Sequence, residues 1–250
     1  MTAPETLEGW FALHDVRHLD RAAWRELPAE DKEKALAEAI DIVTAFEDVS
    51  DAVAGRSVTY SLIGHKGDLL LIHLRPEADD LHELERAFDR TTLASFTTRS
   101  YSYLSVIEIS RHGSPEGTVE NIEDSPYVQA RLYPELPAQN KYVCFYPMSR
   151  KREGSDNWYS LSPTERGELM RAHGRTGRRY AGKVTQIVTG STGLDDWEWG
   201  VTLFSDDPLQ FKKLVYEMRF DEVSARFADF GPFYVGRRLY PEDLRRFVGE

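Results

Sequence analysis

Ser57-Val58-Thr59-Tyr60-Ser61-Leu62-Ile63-Gly64-His65-Lys66-Gly67-Asp68-Leu69-Leu70-Leu71-Ile72-His73-Leu74 is the stretch that decides the fold. Two apolar runs meet at Gly64-His65-Lys66-Gly67-Asp68, which predicts a β-hairpin. On its N-terminal side a helix is expected from about Ala29, with Leu36, Ile40, Val43 and Phe46 on one stripe, and before it a strand from Trp10 to His14. On its C-terminal side Leu81, Leu84 and Phe88 recur at helical spacing, and Tyr101 to Ile109 alternates as a strand. The hairpin therefore sits inside a β-α-β-β-α-β order.

The same order recurs downstream. Tyr142 to Met148 reads as a strand, and Ser162-Pro163-Thr164-Glu165 is a capping box with proline at the first helical position. Val184 to Phe204 predicts a second hairpin, turning near Gly190-Ser191-Thr192-Gly193. A helix follows from Asp207-Pro208-Leu209-Gln210, with Phe211, Leu214, Val215 and Met218 on its apolar stripe. Arg219 to Phe230 is expected to continue as helix up to Gly231, and Phe233 to Leu239 to supply the last strand. The expected fold class is α+β: two ferredoxin-like (βαββαβ) halves packed as a dimeric α+β barrel within one chain. The expected divisions are residues 1–111, a linker over 112–140 rich in Pro, Gly and acidic residues, and residues 141–250.

Bulk properties narrow the function. With 250 residues, 41% hydrophobic and 29% charged, the chain is long enough for a sizeable core. No run approaches the roughly 20 apolar residues of a membrane span. Met1 to Gly9 lacks the order of a signal peptide, and the single cysteine, Cys144, forms no internal disulfide, so the cytoplasm is the expected compartment. A net charge of -11 disfavours nucleic acid as a partner. Yet Arg150 to Lys183 carries nine basic residues against four acidic ones. That cluster suits either a small polyanionic ligand or a solvated helix face.

Several side chains could carry chemistry. His173 follows Leu169 and Met170 on the inward stripe of its helix, with Gly174 expected to end that turn; it suits either a haem iron ligand or a satisfied core histidine. The other histidines, His14, His18, His65, His73, His82 and His112, show no zinc spacing. Tyr146 shares a strand face with Cys144 and Met148 and precedes Arg150, Lys151 and Arg152. It is either a packed tyrosine or a phenol able to pass a one-electron oxidation to a carboxylate substrate. Gln186, between Val184 and Val188, faces either a ligand or a backbone group. Arg131, Arg219 and Ser224 are further anion-binding candidates, and Trp158, Trp197 and Trp199 offer flat surfaces.

Taken in order, Tyr146-Pro147-Met148-Ser149-Arg150, Asn157-Trp158-Tyr159, His173-Gly174, Tyr180-Ala181-Gly182-Lys183 and Gln186-Ile187 resemble the coproheme decarboxylases of the chlorite-dismutase-like superfamily. So do Asp195-Asp196-Trp197-Glu198-Trp199-Gly200-Val201-Thr202-Leu203-Phe204 and the run from Leu209-Gln210-Phe211-Lys212-Lys213 through Met218-Arg219-Phe220-Asp221-Glu222-Val223-Ser224. The resemblance is dense from about Arg131 to Gly236 and looser around Tyr101-Ser102-Tyr103-Leu104-Ser105-Val106.

That resemblance implies an enzyme converting Fe-coproporphyrin III to haem b with hydrogen peroxide, the iron porphyrin being both substrate and redox cofactor. It implies His173 as proximal iron ligand and Tyr146 as catalytic radical tyrosine. Arg131, Tyr146, Pro147, Met148, Ser149, Arg150, Gln186 and Ser224 would contact the porphyrin, with Lys151, Trp197 and Arg219 beside them. It also implies a homopentamer and a transient contact with the coproporphyrin ferrochelatase. One departure concerns Arg150, where these enzymes commonly carry lysine; an arginine keeps the charge but does not give up a proton near neutral pH, which leaves Lys151 or a stalled three-propionate intermediate. Two other functions remain open. Chlorite dismutases resemble one another in a distal arginine where this chain has Gln186, and a non-catalytic haem carrier would need only His173.

Overall fold

A computed structural model describes residues 3–110 and 125–249. In chain order the elements are β1 (Thr6–Leu19), α1 (Arg21–Glu26), α2 (Ala29–Glu47), β2 (Arg56–Ile63), β3 (Leu69–Arg75), α3 (Ala78–Asp89), β4 (Thr97–Ser110), α4 (Pro126–Leu132), β5 (Tyr142–Arg150), β6 (Arg152–Glu153) and β7 (Asp156–Asn157). There follow α5 (Pro163–Arg178), β8 (Thr185–Gly190), β9 (Trp199–Ser205), α6 (Leu209–Met218), α7 (Glu222–Phe227), β10 (Ala228–Phe230), β11 (Tyr234–Arg238) and α8 (Leu244–Val248). Among the described residues no helix is long and apolar enough to cross a membrane.

The chain forms two compact units: Trp10–Leu104 with the described residues of Tyr234–Glu250, and the described residues of Met1–Gly9 and Ser105–Phe233. In the first, strands run in the order β4-β1-β3-β2-β11. The expected hairpin is β2–β3, with Arg56 opposite Leu74 and Ser61 opposite Leu69. Every residue of β3 is buried, and Leu71 belongs to one core cluster with Leu36, Val43 and Phe46 of α2 and Leu84 and Phe88 of α3. The helical stripes read from the sequence thus form this unit's core.

The second unit repeats the plan as β10-β5-β9-β8-β4. Antiparallel registers place Tyr146 opposite Val201, Gly190 opposite Trp199, and Phe230 opposite Met148. Both units are mixed α+β with the strand order of a ferredoxin-like fold plus one outer strand.

Three local expectations are corrected. Phe233 to Leu239 is expected within the second half, but Tyr234–Arg238, the strand β11, belongs to the first compact unit, where Val235 lies opposite Ile63 of β2. Alternation reveals a buried face and not which strand lies alongside it. The divisions at 111 and 141 accordingly differ from the compact units. Next, Arg219 to Phe230 is not one helix: Asp221 accepts a hydrogen bond from Ser224 N at 3.1 Å, capping α7 afresh, and the chain turns to strand at Ala228. Gly231 then permits a close approach, since a Cβ there would stand 2.7 Å from Pro147 Cγ. Finally, α5 runs through Gly174 to Arg178, because Gly174 lacks the positive φ of a helix-ending glycine. Within the expected linker, residues 112–124 and so His112 lie outside the described residues, and the rest contains α4.

Candidate functional site

The second unit holds a cavity of about 740 Å³ between its sheet and its helices. Helix α5 forms one wall, and its start is fixed by the capping box. Ser162 Oγ accepts from Glu165 N at 3.3 Å, and Glu165 accepts from Ser162 N at 2.8 Å. The helix then directs Met170 and His173 into the cavity.

His173 is poised by α7. Its Nδ1 lies 3.0 Å from Asp221 Oδ2, and Asp221 Oδ1 is occupied by Ser224 N. The carboxylate fixes Nδ1 as the protonated nitrogen, which leaves the Nε2 lone pair for a ligand. Burial holds the imidazole below its ordinary pKa, opposed by Asp221. The ring is therefore neutral near pH 7, as metal ligation requires.

Strand β5 supplies the opposite wall. Tyr146, Met148 and Arg150 alternate onto the cavity face. The Tyr146 ring stacks on Phe233 with centroids 4.4 Å apart, and Phe230 lies at 5.9 Å. Burial pushes the phenol pKa up, so it keeps its proton. Arg150 spreads over the Trp158 ring at 4.6 Å and reaches Met170 Sδ with Nη2 at 3.7 Å. Burial pulls its pKa down to about 10, still protonated at neutral pH. Glu198 secures this corner, accepting from Arg150 N at 2.6 Å and from the Tyr159 hydroxyl at 2.7 Å.

Strands β8, β9 and β4 complete the lining with Gln186, Val188, Trp199 and Glu108. Trp199 Nε1 donates to Glu108 Oε1 at 3.0 Å, and burial raises the Glu108 pKa. Among the described lining residues five are arginines, Arg131, Arg150, Arg166, Arg171 and Arg178, while Glu108 is the one acidic residue. A chain with a net charge of -11 thus builds a cationic cavity. An available imidazole, a protonated phenol and five guanidinium groups fit an iron macrocycle bearing several carboxylates.

Of the residues singled out from sequence, Arg131, Tyr146, Met148, Arg150, His173, Gln186 and Ser224 line this one cavity. Pro147, Ser149, Lys151, Trp197 and Arg219 do not. Pro147 and Ser149 belong to the other face of β5, where Ser149 Oγ accepts from Glu198 N. Lys151 lies 3.9 Å from Asp229, so it does not stand in for a cavity lysine. Arg219 is exposed and sits over the Phe230 ring at 3.6 Å. Trp197 lies in the connection before β9 and packs by Gly231, while Trp199 faces the cavity. Sequence reading missed Arg166, which stands seven residues before His173 with Met170 between them. That i, i+4, i+7 spacing was the available signal.

A family model for chlorite dismutase matches residues 32–239. The chain belongs to this family. Within it, the chain is 52% identical over 244 residues to a coproheme decarboxylase of Thermus thermophilus, covering 98% of this chain and 96% of the relative. The same values hold for the coproheme decarboxylase of a second strain of that organism. A solved structure described as a novel haem-binding protein from Thermus thermophilus superposes with a TM-score of 0.93 at 49% identity, covering 100% of both chains. A variant of the chlorite dismutase of Candidatus Nitrospira defluvii superposes with a TM-score of 0.77 at 21% identity over 96% of both chains, a likeness of fold.

Proposed function

We propose that this chain is a coproheme decarboxylase, which binds Fe-coproporphyrin III in the cationic cavity and uses hydrogen peroxide to turn two propionates into vinyl groups, giving haem b. The observation that carries this reading is the meeting of His173 and Tyr146 in one cavity ringed by arginines. Each propionate would consume one peroxide and leave a vinyl group, carbon dioxide and two waters.

His173 would hold the iron through Nε2, with Asp221 strengthening the imidazole as a donor through Nδ1–H. The bound iron porphyrin would supply the oxidising power of peroxide. Tyr146, kept as a neutral phenol by burial, would give up an electron and its proton, and the phenoxyl would take a hydrogen atom from the propionate β-carbon. Arg150 and Arg131 would hold carboxylates, with Ser224 as a hydroxyl donor. Gln186 would leave the distal side without a fixed positive charge, which disfavours chlorite dismutation. Assembly as a homopentamer, action in the cytoplasm and a transient contact with the coproporphyrin ferrochelatase belong to the same reading and rest on the resemblance.

Mass spectrometry of the porphyrin after peroxide is added to the coproheme complex tests this. The expected product has lost two carboxyl groups with the native chain and none with Tyr146→Phe. Bleaching without vinyl formation by the native chain would mark a carrier instead.

A further inference from the structure

Arg166 is 6% exposed, lines the cavity, and has an Nε without a hydrogen-bond partner among the described residues. Its guanidinium forms no ion pair among those residues either. By contrast the buried Arg17 and Arg75 of the other unit each meet an aspartate at 2.7 Å. A buried guanidinium with no counter-charge is costly, and such groups are ordinarily paired. Among the described residues Arg166 is therefore a buried cation without a counter-charge.

Its position says what would supply that counter-charge. Arg166, Met170 and His173 follow one another at i, i+4 and i+7 on the cavity side of α5. Seven residues of helix rise about 10 Å, comparable to the distance from the centre of a porphyrin to its peripheral carboxylates. Met170, one turn from Arg166, also receives Arg150 Nη2 on its sulfur at 3.7 Å. Arg166 thus stands one turn from Met170 while Arg150 touches its sulfur, and neither guanidinium forms an ion pair among the described residues.

We propose that Arg166 binds a carboxylate of the tetracarboxylate porphyrin and makes the cavity selective for the free acid; this rests on the coproheme reading above. In the absence of porphyrin the same side chain is a standing destabilisation of α5 against the sheet.

The test titrates porphyrin-free protein with ferric coproporphyrin III and with its tetramethyl ester, using the native chain, Arg166→Met and Arg166→Lys, and records thermal melting of each porphyrin-free protein. The native chain should prefer the acid. Arg166→Met should lose about tenfold or more in affinity for the acid, the loss of a charge-assisted hydrogen bond. Its affinity for the ester should not change, and Arg166→Lys should recover part of the loss. Arg166→Met should also melt no lower than the native chain, which a merely structural arginine would not allow. Unchanged acid affinity in Arg166→Met, or equal losses for acid and ester, would overturn the assignment alone. Failure of the native chain to bind either porphyrin would remove the proposed function and this assignment together.

Discussion

His173 Nδ1 and Asp221 Oδ2 stand 3.0 Å apart, so one nitrogen of the imidazole is held by a carboxylate while the ring itself lines the cavity. The same aspartate caps α7 through Ser224 N, so a single side chain both starts a helix and orients the candidate iron ligand.

Asp221→Asn separates these roles. Asparagine caps a helix about as well as aspartate, so α7 should persist. Losing the carboxylate should weaken coproheme binding by about 10- to 100-fold. A Soret titration gives the affinity, and resonance Raman spectroscopy of the ferrous complex should show a weaker iron–imidazole stretch.

The His173 pKa lies below the ordinary histidine value of 6.5, burial being the main cause. Above that value the imidazole is neutral in both folded and unfolded chains and contributes no pH dependence. As pH falls below it, the unfolded chain takes the proton first, so the contribution of His173 to stability declines. Coproheme affinity should fall once the folded-state pKa is passed. Denaturation and binding measured from about pH 7.5 to 5 check both; His173→Ala should lessen the pH dependence of stability without removing it, because the buried His14 and His73 are also held below the ordinary histidine value.

Arg150 lies in the cavity without an ion pair among the described residues, while Lys151 sits by Asp229. If the second decarboxylation needs a proton from this position, Arg150→Lys should lower the accumulation of the three-propionate intermediate. Time courses by mass spectrometry decide it, and indistinguishable traces would discard the idea.

Ser162→Ala removes one arm of the capping box that starts α5. Stability to urea should fall by about 1 kcal/mol. The cavity side chains begin a turn further on, so saturated turnover should change little.

Much of this was legible in the residues. The glycine-centred turn between Ile63 and Leu69 fixed a hairpin, and Ser162 with Glu165 fixed where α5 begins, because turns and caps are local chemistry. The two-residue period of β5 separates Tyr146, Met148 and Arg150 from Pro147 and Ser149, although all five share one contiguous motif. The partner of β11 was hidden because a strand's alternation carries no address. The restart at Asp221 was hidden because an aspartate within a helical pattern reads as a solvated residue until its Oδ1 is seen on Ser224 N. Arg166 was overlooked because arginine on a helix is ordinarily exposed, and only burial without a partner among the described residues distinguishes it.

The central claim is that one iron porphyrin lies between the residue 173 imidazole and the residue 146 phenol. A crystal structure of the coproheme complex tests it most directly. The expected result is iron bonded to His173 Nε2, with the Tyr146 hydroxyl facing a propionate side chain. Iron bound by any other residue, or a macrocycle seated away from Tyr146, would contradict it.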